Sequence, residues 1–427
     1  MIIHIVKANE TVGSIARLYG VSPQRIITDN GLSNQPYLVV GQALIILIPD
    51  TVHTVRSGET PSSIAALYGI TEIQLMQRNP SIILNGIIYA GEQLVISYEE
   101  QGTMSTNVYS FTYTDTNDSV LKRALPFISS CAVFGYGFTE NGELIKTNDK
   151  RLVDLIYENK AAPIMLITSL TESGNFDSTA ASLIFNDTVL QNRVIDNILT
   201  EIREKGYLGL DIDFEYINAE DRDAFSNFVR NVTERLNAEG YTVNVDLAPK
   251  VSANQSGSLY EGHDYAALGA AANTVLIMTY EWGYTYGPPM AVAPINEVRR
   301  VVQYAVSEIE SSKIYMGVPN YAYDWRLPYQ RGVTRAVGIG NETAVRIAAE
   351  NGAEISFDER SRTPYFEYNA RDGSEHVVWF EDVRSIAAKL ALVDEYSLRG
   401  PGYWNLINPF SQNWAYLGNK YDINKLE

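Results

Sequence analysis

The sequence predicts an α/β chain: a (β/α)8 TIM barrel over residues 107–427 with a small α+β insertion, preceded by two small α+β (βααβ) modules. Three observations carry this. The first 97 residues repeat internally, eight strand-like runs then alternate with helical stretches, and the fourth run carries three acids at every second position.

The repeat is explicit. His4-Ile5-Val6 recurs as His53-Thr54-Val55, an offset of 49 (53 − 4). Ser14-Ile15-Ala16-Arg17-Leu18-Tyr19-Gly20 recurs as Ser63-Ile64-Ala65-Ala66-Leu67-Tyr68-Gly69. Asn30 recurs as Asn79, and Gly41-Gln42-Ala43-Leu44 as Gly91-Glu92-Gln93-Leu94. Each unit, 1–48 and 51–97, reads strand, turn, short helix closed by glycine, second helix, loop, strand. Thr11 and Thr60 stand where a side chain caps the first helix. Ile15, Ala16 and Tyr19 give that helix its apolar stripe. On these residues both units resemble LysM modules, which bind N-acetylglucosamine polymers such as peptidoglycan or chitin. The resemblance implies a sugar groove between the first turn and the Asn-containing loop. That assigns Gly58, Thr60, Asn79, Pro80 and Ile83 in the second unit and Asn9, Thr11, Asn30 and Leu32 in the first. The first unit departs at Asn9, where glycine is usual, and at Gly31, where proline often follows the Asn. The alternative is that these residues only make turns and caps.

Residues 98–106 are polar and read as a linker. The barrel strands are expected at 108–113, 131–138, 163–168, 209–215, 242–247, 274–280, 314–318 and 400–404. Helices fall between them, for example at 221–239, 294–311 and 382–395. The insertion is expected at 329–376, with a helix at 341–351 and hairpin-like runs around it.

In the fourth run, Gly209-Leu210-Asp211-Ile212-Asp213-Phe214-Glu215 alternates apolar with acidic. Period two places Asp211, Asp213 and Glu215 on one face of a strand and Leu210, Ile212 and Phe214 on the other. Two residues advance about 6.6 Å, so neighbouring carboxylates repel. Three acids beside a buried face make chemical sense if one stays protonated near neutral pH and its neighbours tune it. A solvated strand face and a hard-cation site are the competing readings.

In a barrel the chemistry sits where strands end. Leu208-Gly209-Leu210-Asp211-Ile212-Asp213-Phe214-Glu215 resembles the glycoside hydrolase family 18 signature D-G-x-D-x-D-x-E. Met278-Thr279-Tyr280-Glu281-Trp282 and Gly317-Val318-Pro319-Asn320-Tyr321 resemble that family's strand-six and strand-seven motifs. Leu208 and Glu281 replace aspartates of those motifs, and the family's strand-two S-x-G-G pattern is absent; Ile167-Thr168-Ser169-Leu170 is the nearest run. The resemblance implies substrate-assisted retaining hydrolysis, an exception to the two-carboxylate scheme. Glu215 would be the acid and base, Asp213 the orienter of the substrate acetamido group, Tyr280 its hydrogen-bond partner and Asp211 a proton-sharing neighbour of Asp213. Trp404 would stack under the sugar. Glu281, Trp282, Asn320 and Tyr321 are further groove candidates. The competing reading for Trp404 is core packing and for Tyr280 a structural hydroxyl.

Composition bounds the partners. Net charge is −18, from 33 basic and 51 acidic residues, which argues against nucleic acid and anionic membrane surfaces. Twenty-eight tyrosines and five tryptophans suit sugar rings. The single cysteine, Cys131, excludes an intrachain disulfide and sits in an apolar run, so it is expected buried. Four scattered histidines argue against a histidine-rich zinc site, and no metal or cofactor is expected. No apolar run reaches the roughly 18 residues of a membrane span, and Met1 is followed by no secretory leader pattern. Two sugar-binding modules ahead of such a barrel resemble the cortical-fragment-lytic glycosylases of bacterial endospores (SleL type). The resemblance implies an N-acetylglucosaminidase of spore-cortex peptidoglycan acting during germination, laid onto the spore without a signal peptide. A monomer is expected. The alternatives are a chitinase or endo-N-acetylglucosaminidase on another polymer, and a glycan-binding spore protein with a dead barrel.

Overall fold

The computed structural model describes residues 1–99, 102–111, 113–114, 117–169 and 178–427. Its centre is a closed ring of eight parallel strands: Asn107–Ser110, Ser130–Phe138, Ala162–Thr168, Gly209–Asp213, Thr242–Leu247, Thr274–Ile277, Ile314–Pro319 and Gly400–Trp404. Closure is direct, since the eighth strand pairs Gly402 with Asn107 and the first pairs Asn107 with Ser130. Cys131 is fully buried in the second strand, where burial pushes its thiol up to about 12.

Three strands stop earlier than the sequence predicts, and the first strand ends at Ser110. The fourth ends at Asp213, leaving Glu215 just beyond it, followed by Tyr216 in the left-handed region at φ 55°. The sixth ends at Ile277, because the amides of Thr279 and Tyr280 turn back to Ile277 O and Met278 O, both at 2.8 Å. Tyr280 therefore stands in the loop above the barrel.

The insertion is wider than 329–376. Its five-stranded antiparallel sheet runs in the order Val337–Ile339, Ala322–Leu327, Glu375–Trp379, Thr363–Asn369, Ser356–Asp358, so it begins directly after the seventh strand. The helix Asn341–Asn351 covers it, and Val39 of the first module completes their common apolar core with Ala344, Ala348, Phe366 and Val378.

The two modules are copies in detail. Thr11 with Ser14, and Thr60 with Ser63, form reciprocal capping boxes. His4 bridges Glu10 and Tyr19 at 2.9 and 3.0 Å, and His53 bridges Glu59 and Tyr68 at 2.8 and 3.1 Å. Both modules rest on the helix Ser411–Lys420, whose residues 412–419 are all buried. Gln412 donates to Asn30 Oδ1 (2.9 Å) and Ala43 O (2.7 Å) of the first module. Gln77 of the second donates to Pro126 O at 2.7 Å. The expected 98–106 linker is not merely a linker. Gly102–Met104 forms a parallel pair with Tyr421–Ile423, which gives its backbone polar groups partners; Glu100 and Gln101 lie outside the described residues.

Gly41 shows how close the first module sits. Its φ is 83°, and a Cβ there would lie 1.9 Å from Ile355 O of the insertion. Gly91, its counterpart in the second module, has φ 89° with nothing within 4 Å. Gly91→Ala should therefore cost only the left-handed backbone strain, about 1 kcal/mol. Gly41→Ala should cost about 1–3 kcal/mol more, because the backbones must part. Urea unfolding of the two variants, with limited proteolysis after residue 50, measures the difference; equal losses would show that the contact is not needed.

Candidate active site

The fourth strand assembles the site. Leu210, Ile212 and Phe214 are at most 1% exposed and point into the helical layer, where Phe214 meets the rings of Phe225 and Phe228 at 6.2 and 6.0 Å. Anchoring that face aims Asp211, Asp213 and Glu215 into the barrel. Asp211 and Asp213 are 1% and 6% exposed, and Glu215 is half-buried.

The neighbouring strand adds a fourth carboxyl that the sequence reading passed over. Asn244 donates to Asp211 Oδ1 at 2.8 Å and to Asp246 Oδ1 at 3.0 Å, and Tyr109 of the first strand donates to the same Asp246 oxygen at 2.6 Å. The signal was present, because Asn244 and Asp246 repeat the two-residue spacing of Asp211 and Asp213. Burial dominates the charge balance. It pushes the Asp211 carboxyl up to about 6, against hydrogen bonds from Asn244 and Tyr109 that favour the anion. Asp213 is raised further by burial and then by the charges of Glu215 and Asp211. Asp246 is raised by burial and by both aspartates. Carboxyls packed this closely cannot all ionise, so they share protons and titrate as a set. Asp213 Oδ1 is buried without a hydrogen-bond partner, an acceptor aimed at nothing in the protein.

Glu215 is raised by burial first and by the Glu281 carboxylate second. Glu281 sits at the rim with φ 68°, held by the hydroxyls of Tyr321 and Tyr323, the latter at 3.1 Å. Tyr280 needs Gly317: a Cβ there would lie 2.8 Å from the Tyr280 ring. Above the acids opens a cavity of about 420 Å³ lined by Asp213, Glu215, Asp246, Tyr280, Trp404 and Tyr321, among others. Glu281 and Trp282 also line it. Trp404 is held half-buried by Tyr109, Phe134 and Phe111 at 5.4, 5.5 and 5.7 Å between ring centres. Tyr260 and Gln255, on a loop, and Arg300, on the helix Ile295–Glu308, join the lining unannounced by any motif.

Three expectations are corrected. Asn320 is 1% exposed, absent from the cavity lining, and spends its amide on Asn405 O and Asn408 O at 2.8 and 2.9 Å; it ties two loops together. Asn30 and Asn79 are buried, and their carboxamides bond the backbone, at Ile26 and Ile45 for Asn30 and at Leu75 and Val95 for Asn79, with Gln412 also donating to Asn30 Oδ1. They clasp the closing strand of each module. Leu32 is 7% exposed and belongs to the first module's core. Asn9, Thr11, Gly58 and Thr60 are exposed, with Pro80 and Ile83 half-buried. Leu170, in the run nearest the strand-two pattern, lies outside the described residues.

Two outcomes follow from the electrostatics. Glu281→Gln removes the charge that helps keep Glu215 protonated, so the alkaline limb of the kcat/KM profile should move to lower pH; an unmoved limb would exclude this coupling. His263, fully buried, accepts from Ala248 N–H (3.2 Å) and donates to Phe214 O (3.2 Å) as a neutral ring, with burial lowering its pKa from 6.5 to about 4. Only the unfolded chain takes up that proton between those values. Stability should fall as pH drops from 6.5 towards 4, by up to about 1.4 kcal/mol per unit, and the fall should be shallower in His263→Gln. Urea titrations across that window read it.

Known proteins place the chain. The glycosyl hydrolases family 18 profile matches residues 98–408, and the LysM domain profile matches 4–47 and 53–97. A cortical fragment-lytic enzyme of Bacillus cereus is 36% identical over 98% of both chains. A putative sporulation-specific glycosylase of Bacillus subtilis, YdhD, is 35% identical over the full length of both. The crystal structure of the Bacillus cereus spore cortex-lytic enzyme SleL superposes with a TM-score of 0.85 at 35% identity, covering 99% of this chain and 98% of that one. Two LysM modules, a closed eight-stranded barrel and the acid row on its fourth strand have one common explanation: the chain is a glycoside hydrolase of family 18 and belongs with the SleL-type cortical fragment-lytic enzymes.

Proposed function

We propose that the chain is a retaining, substrate-assisted N-acetylglucosaminidase that hydrolyses fragments of spore-cortex peptidoglycan during germination. The observation that carries this is the pairing of a half-buried Glu215, raised towards neutrality, with the unpartnered Asp213 Oδ1 beneath it. Glu215 gives its proton to the glycosidic oxygen as the bond to the anomeric carbon breaks. The substrate's 2-acetamido oxygen bonds to that carbon, forming an oxazolinium ion. Asp213 accepts the acetamido N–H and offsets the positive charge, and Asp211 and Asp246 set how much charge Asp213 carries. Tyr280 donates to the acetamido oxygen, and Trp404 supports the ring. Water then attacks the anomeric carbon and gives a proton to Glu215, which opens the oxazolinium and restores the acetamido group with configuration retained. The mechanism demands a 2-acetamido sugar.

The modules, on this reading, hold the enzyme to the glycan. The exposed residues Asn9, Thr11, Gly58 and Thr60, with Pro80 and Ile83, are the contact candidates, and the protein works as a monomer on the spore. The test is digestion of purified cortex fragments by wild type and Glu215→Gln, with products reduced and resolved by mass. Wild type should release fragments ending in reducing N-acetylglucosamine, and Glu215→Gln should lose activity by about 10²-fold or more. Fragments ending in muramic acid would make it a muramidase. Cleavage of chitin oligomers without cleavage of cortex would make it a chitinase.

A further inference from the structure

The buried acids face two cavities. Asp213, Glu215 and Asp246 line the groove above, whereas Asp211 lines a second cavity of about 330 Å³ at the opposite end of the barrel. The first residues of several barrel strands wall this floor, Asn107 of the first strand among them. Arg399, which precedes the eighth strand, and the segment 424–426 close the wall. That segment is pinned in place: Asn424 N–H donates to Met104 O at 2.9 Å, and Leu426 N–H to Lys160 O at 2.8 Å. The volume is about ten times the roughly 30 Å³ share of one water.

Donors are in excess on this floor. Asn107 is 4% exposed; its Oδ1 accepts from Ser130 Oγ at 2.8 Å, and its Nδ2 has no hydrogen-bond partner among the described residues. Unlike Asp213 Oδ1, that nitrogen keeps accessible surface, and it opens on the cavity that Asn107 lines. Asn273 repeats the arrangement, with Oδ1 accepting from Val243 N–H at 2.8 Å and Nδ2 unpartnered among the described residues. Ser129 Oγ accepts from Thr106 N–H at 3.0 Å and has its own proton left to give. Arg399 donates through Nε to Tyr315 OH at 2.9 Å, which leaves both terminal guanidinium nitrogens without an acceptor among the described residues. Lys425 Nζ donates to Leu125 O at 2.9 Å and Ile128 O at 2.5 Å, and burial lowers its pKa to about 7. The one carboxyl in the wall, Asp211, is raised to about 6. In a chain of net charge −18, a cavity with two cations and three unused neutral donors is shaped for an anion.

We propose that the barrel floor binds a small oxyanion between Asn107, Asn273 and Arg399, and that its charge acts on the acid set through Asp211, from the side opposite the substrate. Such an anion disfavours ionisation of Asp211, and through Asp213 and Asp246 it holds the shared protons to higher pH. The titratable groups facing Asp211 are Asp213, Asp246 and Tyr109. Those facing the floor are Arg399, Lys425 and Tyr315, with Cys131 beside Lys425.

Inorganic sulfate is the probe, because it does not titrate near neutral pH. Calorimetric titration of the full-length chain at pH 6 should show sulfate binding that sodium chloride of equal ionic strength does not reproduce. Arg399→Gln should weaken it about tenfold, the loss of one charge-assisted hydrogen bond, and Arg399→Glu should abolish it. Arg399 is exposed, so both variants should fold. Crystals soaked in sulfate should place the ion within hydrogen-bond distance of Asn107 Nδ2 and Arg399. Affinity should fall as pH rises past 7, where Lys425 gives up its proton. In a separate assay of reducing ends released from cortex fragments, sulfate should raise the alkaline limb of kcat/KM by about half a pH unit in the wild type and not in Arg399→Glu. Equal affinity in Arg399→Glu, sulfate seated only in the groove or on the modules, or a limb unmoved by bound sulfate would each overturn the proposal. Binding is read without turnover, so failure of the floor site is distinguishable from failure of the glucosaminidase reading.

Discussion

The burial of several carboxyls in one small volume is the constraint on which the rest of the molecule depends. Asp211, Asp213 and Asp246 are each under 10% exposed, and low dielectric there makes every added negative charge costly. The protein meets that cost by proton sharing and by hydrogen bonds from Asn244 and Tyr109, and among the described residues no lysine or arginine pairs with these acids. The arrangement survives only because the opposite face of the same strand is locked. Phe214 is clamped among Phe138, Phe185, Phe225 and Phe228, so the strand cannot rotate to expose its acids. Apolar packing outside the barrel thereby sets the charge state inside it.

The same logic extends to the loops. Glycine at 317 lets the Tyr280 ring lie against the seventh strand, and Glu281 takes a left-handed conformation that Tyr321 and Tyr323 stabilise from the insertion sheet. The insertion is thus part of the active-site rim and also the dock for the first module, whose Val39 enters its core. One small antiparallel sheet joins the rim of the barrel cavity to the first LysM module.

Much of this was legible in the residues. The module repeat, the eight strands and the period-two acids are local patterns, and local patterns follow from backbone geometry that any window of sequence carries. Two strand boundaries, at 242–247 and 400–404, and the insertion helix at 341–351 match the expectation to the residue. What misled were residues whose motif position suggested ligand contact while their side chains serve the backbone. Asn30 and Asn79 look like groove residues because both stand at the same turn of their module, and there each clasps the closing strand with its carboxamide. Asn320 makes the same substitution of scaffold for site.

The sequence by itself determined which acids share a strand face and that two modules precede a barrel, because side-chain alternation and repeat spacing are properties of consecutive residues. Only the tertiary structure decided that Asp246 and Tyr109 join Asp211, that Arg300 and Tyr260 reach the cavity, and that the first module is seated on Gln412 and Ile355. Those partners are separated by tens to hundreds of residues. Barrel closure and the docking of the modules bring them within hydrogen-bond distance, and no local pattern along the chain encodes such a distance.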